Sequence, residues 1–190
     1  KVLNGRSASW KMPTLVSRNL IVDSVSPTGY VLIAGNKWRI RAINYIGNEE
    51  YPAGLAAGAY FGSHGFKNVI CVNTVPGAQN LEDRCKGVSD GITGEGGVST
   101  QLPLPASSFG DPTAVAEAIK ATLLKDATIN GVVTISAADA NSAAIGIDQA
   151  GGTGKIALAS FDMDGAGLDR VKAGTQLFAV DQQPWLQGFL

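Results

Sequence analysis

Between Lys67 and Arg84, KNVICVNTVPGAQNLEDR, the hydrophobic pattern changes period once. Val69-Ile70-Cys71-Val72 is a short β-branched run framed by Asn68 and Asn73, which predicts a strand buried on both faces. Thr74 to Asn80 carries Pro76 and Gly77 and is expected to be a loop. From Leu81 the apolar positions Leu81, Cys85, Val88 and Ile92 follow a helical period, with Arg84 near the first turn.

The same alternation covers most of the chain. Ile40 to Ile46 is predicted as a strand, followed by a helix over Glu49 to Gly62 with Tyr51, Leu55, Gly58 and Ala59 on one face. His64 is expected to interact with the last carbonyls of that helix. Asp90 to Gly97 is expected to be a turn-rich loop, and Val98 to Leu104 a strand that Pro103 and Pro105 make either an edge strand or a strand end. Asp111 as N-cap and Pro112 at the first helical position open a helix with a Val115, Ile119, Leu123 stripe, closed by Lys125. Further strands are predicted over Gly131–Ser136, Lys155–Phe161 and Gln176–Val180. Helices are predicted over Asp139–Gln149, around Leu168 and Val171, and from Pro184. About six strand–helix units result, and the fold class is α/β, a doubly wound, mostly parallel sheet with helices on both faces.

The first 38 residues or so do not share this rhythm. Asn19–Val25 and Tyr30–Ala34 read as strands, but Ser26 to Gly29 leaves no room for a crossover helix. The segment is either a hairpin or a remnant of a βαβ unit. The expected organisation is therefore an irregular segment, 1–38, and an α/β lobe, 39–190.

Composition narrows the function classes. Of 190 residues, 45% are hydrophobic and 16% charged, and the net charge is −1, with no basic surplus for nucleic acid. No apolar run reaches the ~18 residues of a membrane span, and the N-terminus shows no signal peptide, which leaves the compartment open. Cys71 and Cys85 are expected to be two buried small hydrophobes, with a disulfide as the alternative.

Chemistry concentrates at the carboxyl ends of the predicted strands, where ligands bind in open parallel sheets. These ends carry Asn48, Asn73-Thr74 with Arg84 and Asn80 behind them, Ser136 to Asp139, Phe161-Asp162 and Asp181-Gln182. Amides, carboxylates and a guanidinium each hold two hydroxyls at once, which suits a sugar or polyol, and Phe161 or Trp185 offers an aromatic face. The competing reading is that Asn and Asp there are turn and cap residues. Catalytic and phosphate motifs are missing. AGGTGKIAL has Ile156 where a P-loop needs Ser or Thr, Asp162-Met163-Asp164-Gly165 places its glycine too early for a calcium loop, and His64 has no acid partner in sequence. No enzyme activity, metal or cofactor is expected.

NVICVNTVPGAQNLEDRCKG, DPTAVAEAI, NGVVTIS, KIALASFDMD and TQLFAVDQQPWLQG, in this order, resemble the ribose-binding-like (type I) periplasmic sugar-binding proteins of ABC importers. The similarity runs from about Gly35 to Leu190. It implies two α/β lobes joined by hinge strands, with crossings near 39–46 and 176–182 and a sugar between the lobes. It assigns Arg84, Asp162 and Gln182 to the ligand; Phe161, Asp139, Asn80 and Asn48 complete the expected set. The chain departs from the family at Thr74-Val75, where close relatives carry His-Glu, and at Ala137-Ala138-Asp139, where an Asn or a Gly/Pro-rich loop is usual. It is expected to be truncated, lacking most of a recognisable first lobe and the last crossover with its closing helix.

The resemblance thus implies non-catalytic binding of a monosaccharide or polyol for import, in the periplasm or otherwise outside the cytoplasm. The partners would be the membrane subunits of an ABC importer, without nucleic acid and without insertion in the membrane. The alternatives are the effector lobe of a LacI-type regulator, whose lobes share this fold, or a truncated fragment that binds nothing.

Overall fold

A computed structural model describes residues 30–33, 36–39 and 48–189, and divides the chain into two compact units, residues 1–48 with 183–190, and residues 49–182. In the first unit, β1 (Tyr30–Ile33) pairs antiparallel with β2 (Asn36–Arg39). The strand expected at Tyr30 is therefore present, and its partner is the next segment; the strands predicted over 19–25 and 40–46 lie outside the described residues. The same unit contains α6 (Pro184–Phe189), and there the Gln187 amide donates to Asn48 Oδ1 at 3.0 Å.

The second unit is a five-stranded, all-parallel sheet. In chain order it contains α1 (Glu50–Ser63), β3 (Asn68–Asn73), α2 (Gln79–Gly94), β4 (Val98–Pro103), a 3-10 turn (Ala106–Ser108) and α3 (Pro112–Lys125). It continues with β5 (Gly131–Thr134), α4 (Ala137–Gln149), β6 (Ala157–Phe161), α5 (Gly165–Lys172) and β7 (Phe178–Val180). The spatial order is β4-β3-β5-β6-β7. The chain leaves β3 toward one edge and returns to pair β5 on the other side of β3, with Val72 opposite Thr134. A topological switch point thus lies between β3 and β5.

Strand alternation builds two cores. Val69, Cys71, Val133, Ala159 and Phe161 face one way and pack with Phe61 of α1 and Cys85, Val88 and Ile92 of α2. Ile70, Val72, Val132 and Leu158 face the other way, against Val115 and Ile119 of α3 and Ala143 and Ile147 of α4. The near-continuous apolar strands follow from this two-sided burial. The α3 start is as its sequence dictates: the Asp111 carboxylate accepts from the Thr113 and Ala114 amides, with Pro112 behind it.

Three expectations need correction. The second helix begins at Gln79, two residues before Leu81, and continues to Gly94, so most of Asp90–Gly97 is helix. Its glycines are contacts: a Cβ on Gly87 would lie 2.3 Å from the Tyr51 carbonyl oxygen, and one on Gly91 2.1 Å from that of Leu55. Gly54 and Gly58 of α1 answer from the other side, 2.2 and 2.1 Å from the carbonyl oxygens of Arg84 and Val88. The buried face of α1 is accordingly Gly54, Ala57, Gly58 and Phe61, and Tyr51 and Leu55 are exposed. Finally, Cys71 and Cys85 form a disulfide, because α2 lies directly on β3 and brings their Cα atoms to 5.6 Å. His64 does cap α1, with Nδ1 2.8 Å from the Tyr60 carbonyl oxygen and its ring stacked on Tyr60.

Candidate functional site

The carboxyl ends of β3 and β5, at the switch point, open into a cavity of about 350 Å³. Its polar lining includes Thr74, Asn80, Arg84, Asp111, Ser136, Asp139, Asp162 and Gln182, and Phe109 stands at its rim, 65% exposed.

Arg84 is the centre of this lining. It sits in the second turn of α2, one residue before the disulfide, and is 95% buried by the packing of α2 on α1 and the sheet. A guanidinium at that depth requires partners. Glu50, in the first turn of α1, supplies both carboxylate oxygens, at 2.5 Å from Nε and 3.1 Å from Nη2. Nη1 donates to the Ile135 carbonyl at 2.9 Å, just beyond β5. Nη2 also donates to Gln182 Oε1 at 2.5 Å. Gln182 in turn donates its amide to Asp162 Oδ1. The hydrogen bonds fix the direction of the glutamine, oxygen toward the cation and nitrogen toward the carboxylate.

Asp162 follows β6 with φ of +67°, a left-handed conformation that aspartate tolerates better than most side chains. Two hydrogen bonds hold it: its amide donates to the Val180 carbonyl at 3.0 Å, and Ser160 Oγ donates to its carbonyl at 3.1 Å. A backbone fixed this way at a cavity edge aims its side chain. Burial pushes the Asp162 carboxyl above the usual range, outweighing the opposing pull of Arg84 and of the Gln182 hydrogen bond. Asp139 ties the switch point together. Its Oδ2 accepts from Thr74 Oγ1 at 3.1 Å and from Ser136 Oγ at 2.7 Å, while Ser136 caps α4 by accepting the Asp139 amide.

Of the residues expected at the site, Arg84, Asp162, Gln182, Asp139 and Asn80 line one cavity. Phe161 does not line it; at 1% exposure it lies in the core with the Arg84 guanidinium 5.0 Å above its ring. Asn48 belongs to the other unit, as does Trp185. Asn73 has the turn role: fully buried, it accepts the Val75 amide and donates to Glu82, which also accepts the Gly77 amide. Two residues escaped the sequence reading. Glu50 is one acidic residue in a helical first turn, and Phe109 lies two residues before the Asp111 cap, and neither position carries a local mark of the site.

A family model described as a periplasmic binding protein domain matches residues 33–190. No curated protein matches the chain. Among solved structures, a carbohydrate transporter from Acidothermus cellulolyticus in complex with myo-inositol is 34% identical with a TM-score of 0.71, over 78% of this chain and 49% of that one. A glucose-galactose binding protein from Geobacillus stearothermophilus is 25% identical with a TM-score of 0.67, over 79% and 54%. An ABC transporter periplasmic solute binding protein from Actinobacillus succinogenes with bound D-allose, 22% identical with a TM-score of 0.67 over 76% and 50%, is alike in fold. The chain spans about half the length of these structures.

Proposed function

The chain belongs to the periplasmic binding protein domain family, and from that premise we propose that it binds a monosaccharide or polyol, without chemistry, for an ABC importer. The observation that carries the reading is the hydrogen-bonded series Arg84–Gln182–Asp162 at the rim of the switch-point cavity. Such a series presents N–H donors and carboxylate acceptors side by side, and adjacent hydroxyls on a ring need both. Asp139 adds a further acceptor to the lining, and Phe109 an exposed aromatic ring for the apolar face of a sugar. The sugar and inositol complexes named above support the same class of ligand.

In this role Arg84, Asp162, Gln182, Asp139 and Asn80 contact the ligand, and closure of two lobes around it signals occupancy to the importer's membrane subunits. The compartment is the periplasm or the outside of the cell. Calorimetric titration of the chain with pentoses, hexoses and inositols tests the reading. The expected result is heat with one class of sugar, lost in Arg84→Ala and Asp162→Ala. Absence of heat with every sugar, or affinity untouched by both substitutions, would overturn it.

A further inference from the structure

Glu50 touches the site only through Arg84, yet it determines what Arg84 can offer. Of the five N–H donors of the guanidinium, Glu50 takes one on Nε and one on Nη2, Gln182 the other on Nη2, and the Ile135 carbonyl one on Nη1. One N–H on Nη1 remains. A ligand carboxylate or phosphate is best held by a two-point fork on arginine, and both edges that provide one, Nε–Nη2 and Nη1–Nη2, need Nη2, whose two N–H groups already go to Glu50 and Gln182. A hydroxyl needs only one donor.

Charge points the same way. Among the described residues Arg84 is the sole cation lining the cavity, and Glu50, with 12% side-chain exposure against 6% for Arg84, cancels it at close range. Asp111, Asp139 and Asp162 then leave the lining with an excess of negative charge. Asp139 makes its side-chain bonds through Oδ2 and Asp162 through Oδ1, so each keeps an oxygen for a ligand hydroxyl.

Building on the sugar-binding reading, we infer that Glu50 is a specificity-determining residue that makes the cavity select uncharged polyhydroxy ligands and exclude their carboxylated or phosphorylated counterparts. Its negative charge, and not only its shape, carries the selection.

The test compares matched pairs by calorimetry on the chain: D-glucose with D-glucuronate, D-galactose with D-galacturonate, and myo-inositol with myo-inositol 1-phosphate. The wild type should prefer the neutral member of the pair it binds by about a hundredfold or more, the range in which a misplaced charge acts in a closed site. Glu50→Gln keeps the shape and drops the charge, and should narrow that ratio by about tenfold or more through a gain for the anion. Glu50→Asp keeps the charge and should keep the ratio even where it weakens both ligands. An anion bound as tightly as its neutral partner by the wild type overturns the inference, and this arm stands even if a variant misfolds. So does a ratio unmoved in Glu50→Gln while both affinities fall together, which would make Glu50 a positioning residue alone. Neutral-ligand heat with an unmoved ratio removes only the role of Glu50; no heat from these six ligands, nor from the wider panel of pentoses, hexoses and inositols, removes the sugar-binding reading itself.

Discussion

Glu50 and Arg84 stand 34 residues apart in sequence and share two hydrogen bonds, Nε to Oε2 at 2.5 Å and Nη2 to Oε1 at 3.1 Å, beneath the rim of the candidate site. Both side chains are largely withdrawn from water. Their helices reach this distance because glycines interlock: Gly54 lies against the carbonyl of Arg84 itself. The pair is therefore at once part of the candidate site and a folding constraint.

Removing one partner of such a pair leaves a buried charge without compensation. Glu50→Ala should destabilise the chain by about 3–5 kcal/mol, while replacing both residues by apolar ones of similar volume, Glu50→Leu with Arg84→Met, should recover most of the loss. Urea unfolding of the three proteins measures this. Equal losses in the single and double variants would mean that packing, rather than charge, holds the two helices together here.

The helix crossing itself gives the second prediction. A methyl group on Gly54 would sit 2.2 Å from the Arg84 carbonyl oxygen, so α1 and α2 must separate to admit it. Gly54→Ala is expected to cost about 1–3 kcal/mol or more, the usual range for overpacking, and to weaken sugar affinity because α2 carries Arg84. Gly94, at the end of α2, has nothing within 4 Å of its would-be Cβ, and Gly94→Ala should gain about 0.5–1 kcal/mol. Thermal melts of the two variants should move in opposite directions.

The disulfide fastens the same helix to the sheet. Cys71 and Cys85 are 14 residues apart and 1% and 3% exposed. Closing a loop of that size constrains the unfolded chain by about 3 kcal/mol. The double Cys→Ala variant should melt at a lower temperature by a matching amount. The wild type should show no thiol titre after denaturation without reductant and two thiols after denaturation in reductant. A titre of two without reductant would mean that the bond is absent in solution.

How much of this was legible beforehand depends on the range of the interaction. Asp111-Pro112 ahead of the Val115–Ile119–Leu123 stripe specifies where α3 starts and which face it buries, because cap and period act within a few residues. The strands around Cys71 and Val133 were likewise readable from short β-branched runs. Arg84, Asp162 and Gln182 could be expected near one another because parallel strands deliver their carboxyl ends to one edge. What failed was decided between elements. Gly91 looks like a loop residue until α1 lies against it, and Tyr51 and Leu55 look like a packing face until Gly54 and Gly58 claim that role. Phe161 reads as a ring for a sugar, and the guanidinium of Arg84 covers it instead. Glu50 carried no local mark of its partner 34 residues away.

The two aspartates after β6 should respond to pH with opposite signs. Burial raises the Asp162 carboxyl, chiefly by desolvation against the weaker pull of Arg84. Its folded pKa therefore exceeds its unfolded one, so between the two the unfolded chain binds fewer protons and stability falls as pH rises. Above both values the carboxylate is a standing penalty. Asp162→Asn keeps an oxygen for Gln182 and tolerates the positive φ, and it should raise the melting temperature near neutral pH while lowering sugar affinity. That gain should vanish below the unfolded pKa of an ordinary aspartate. Asp164 is the reverse. The Gly167 amide and then the Asn141 side chain lower its pKa, so its stabilisation is present above the unfolded pKa and is lost as pH falls through the folded one. Melting curves of the wild type, Asp162→Asn and Asp164→Ala across the acid range test both signs. A neutral-pH loss in Asp162→Asn would mean that attraction to Arg84 outweighs desolvation at this carboxylate.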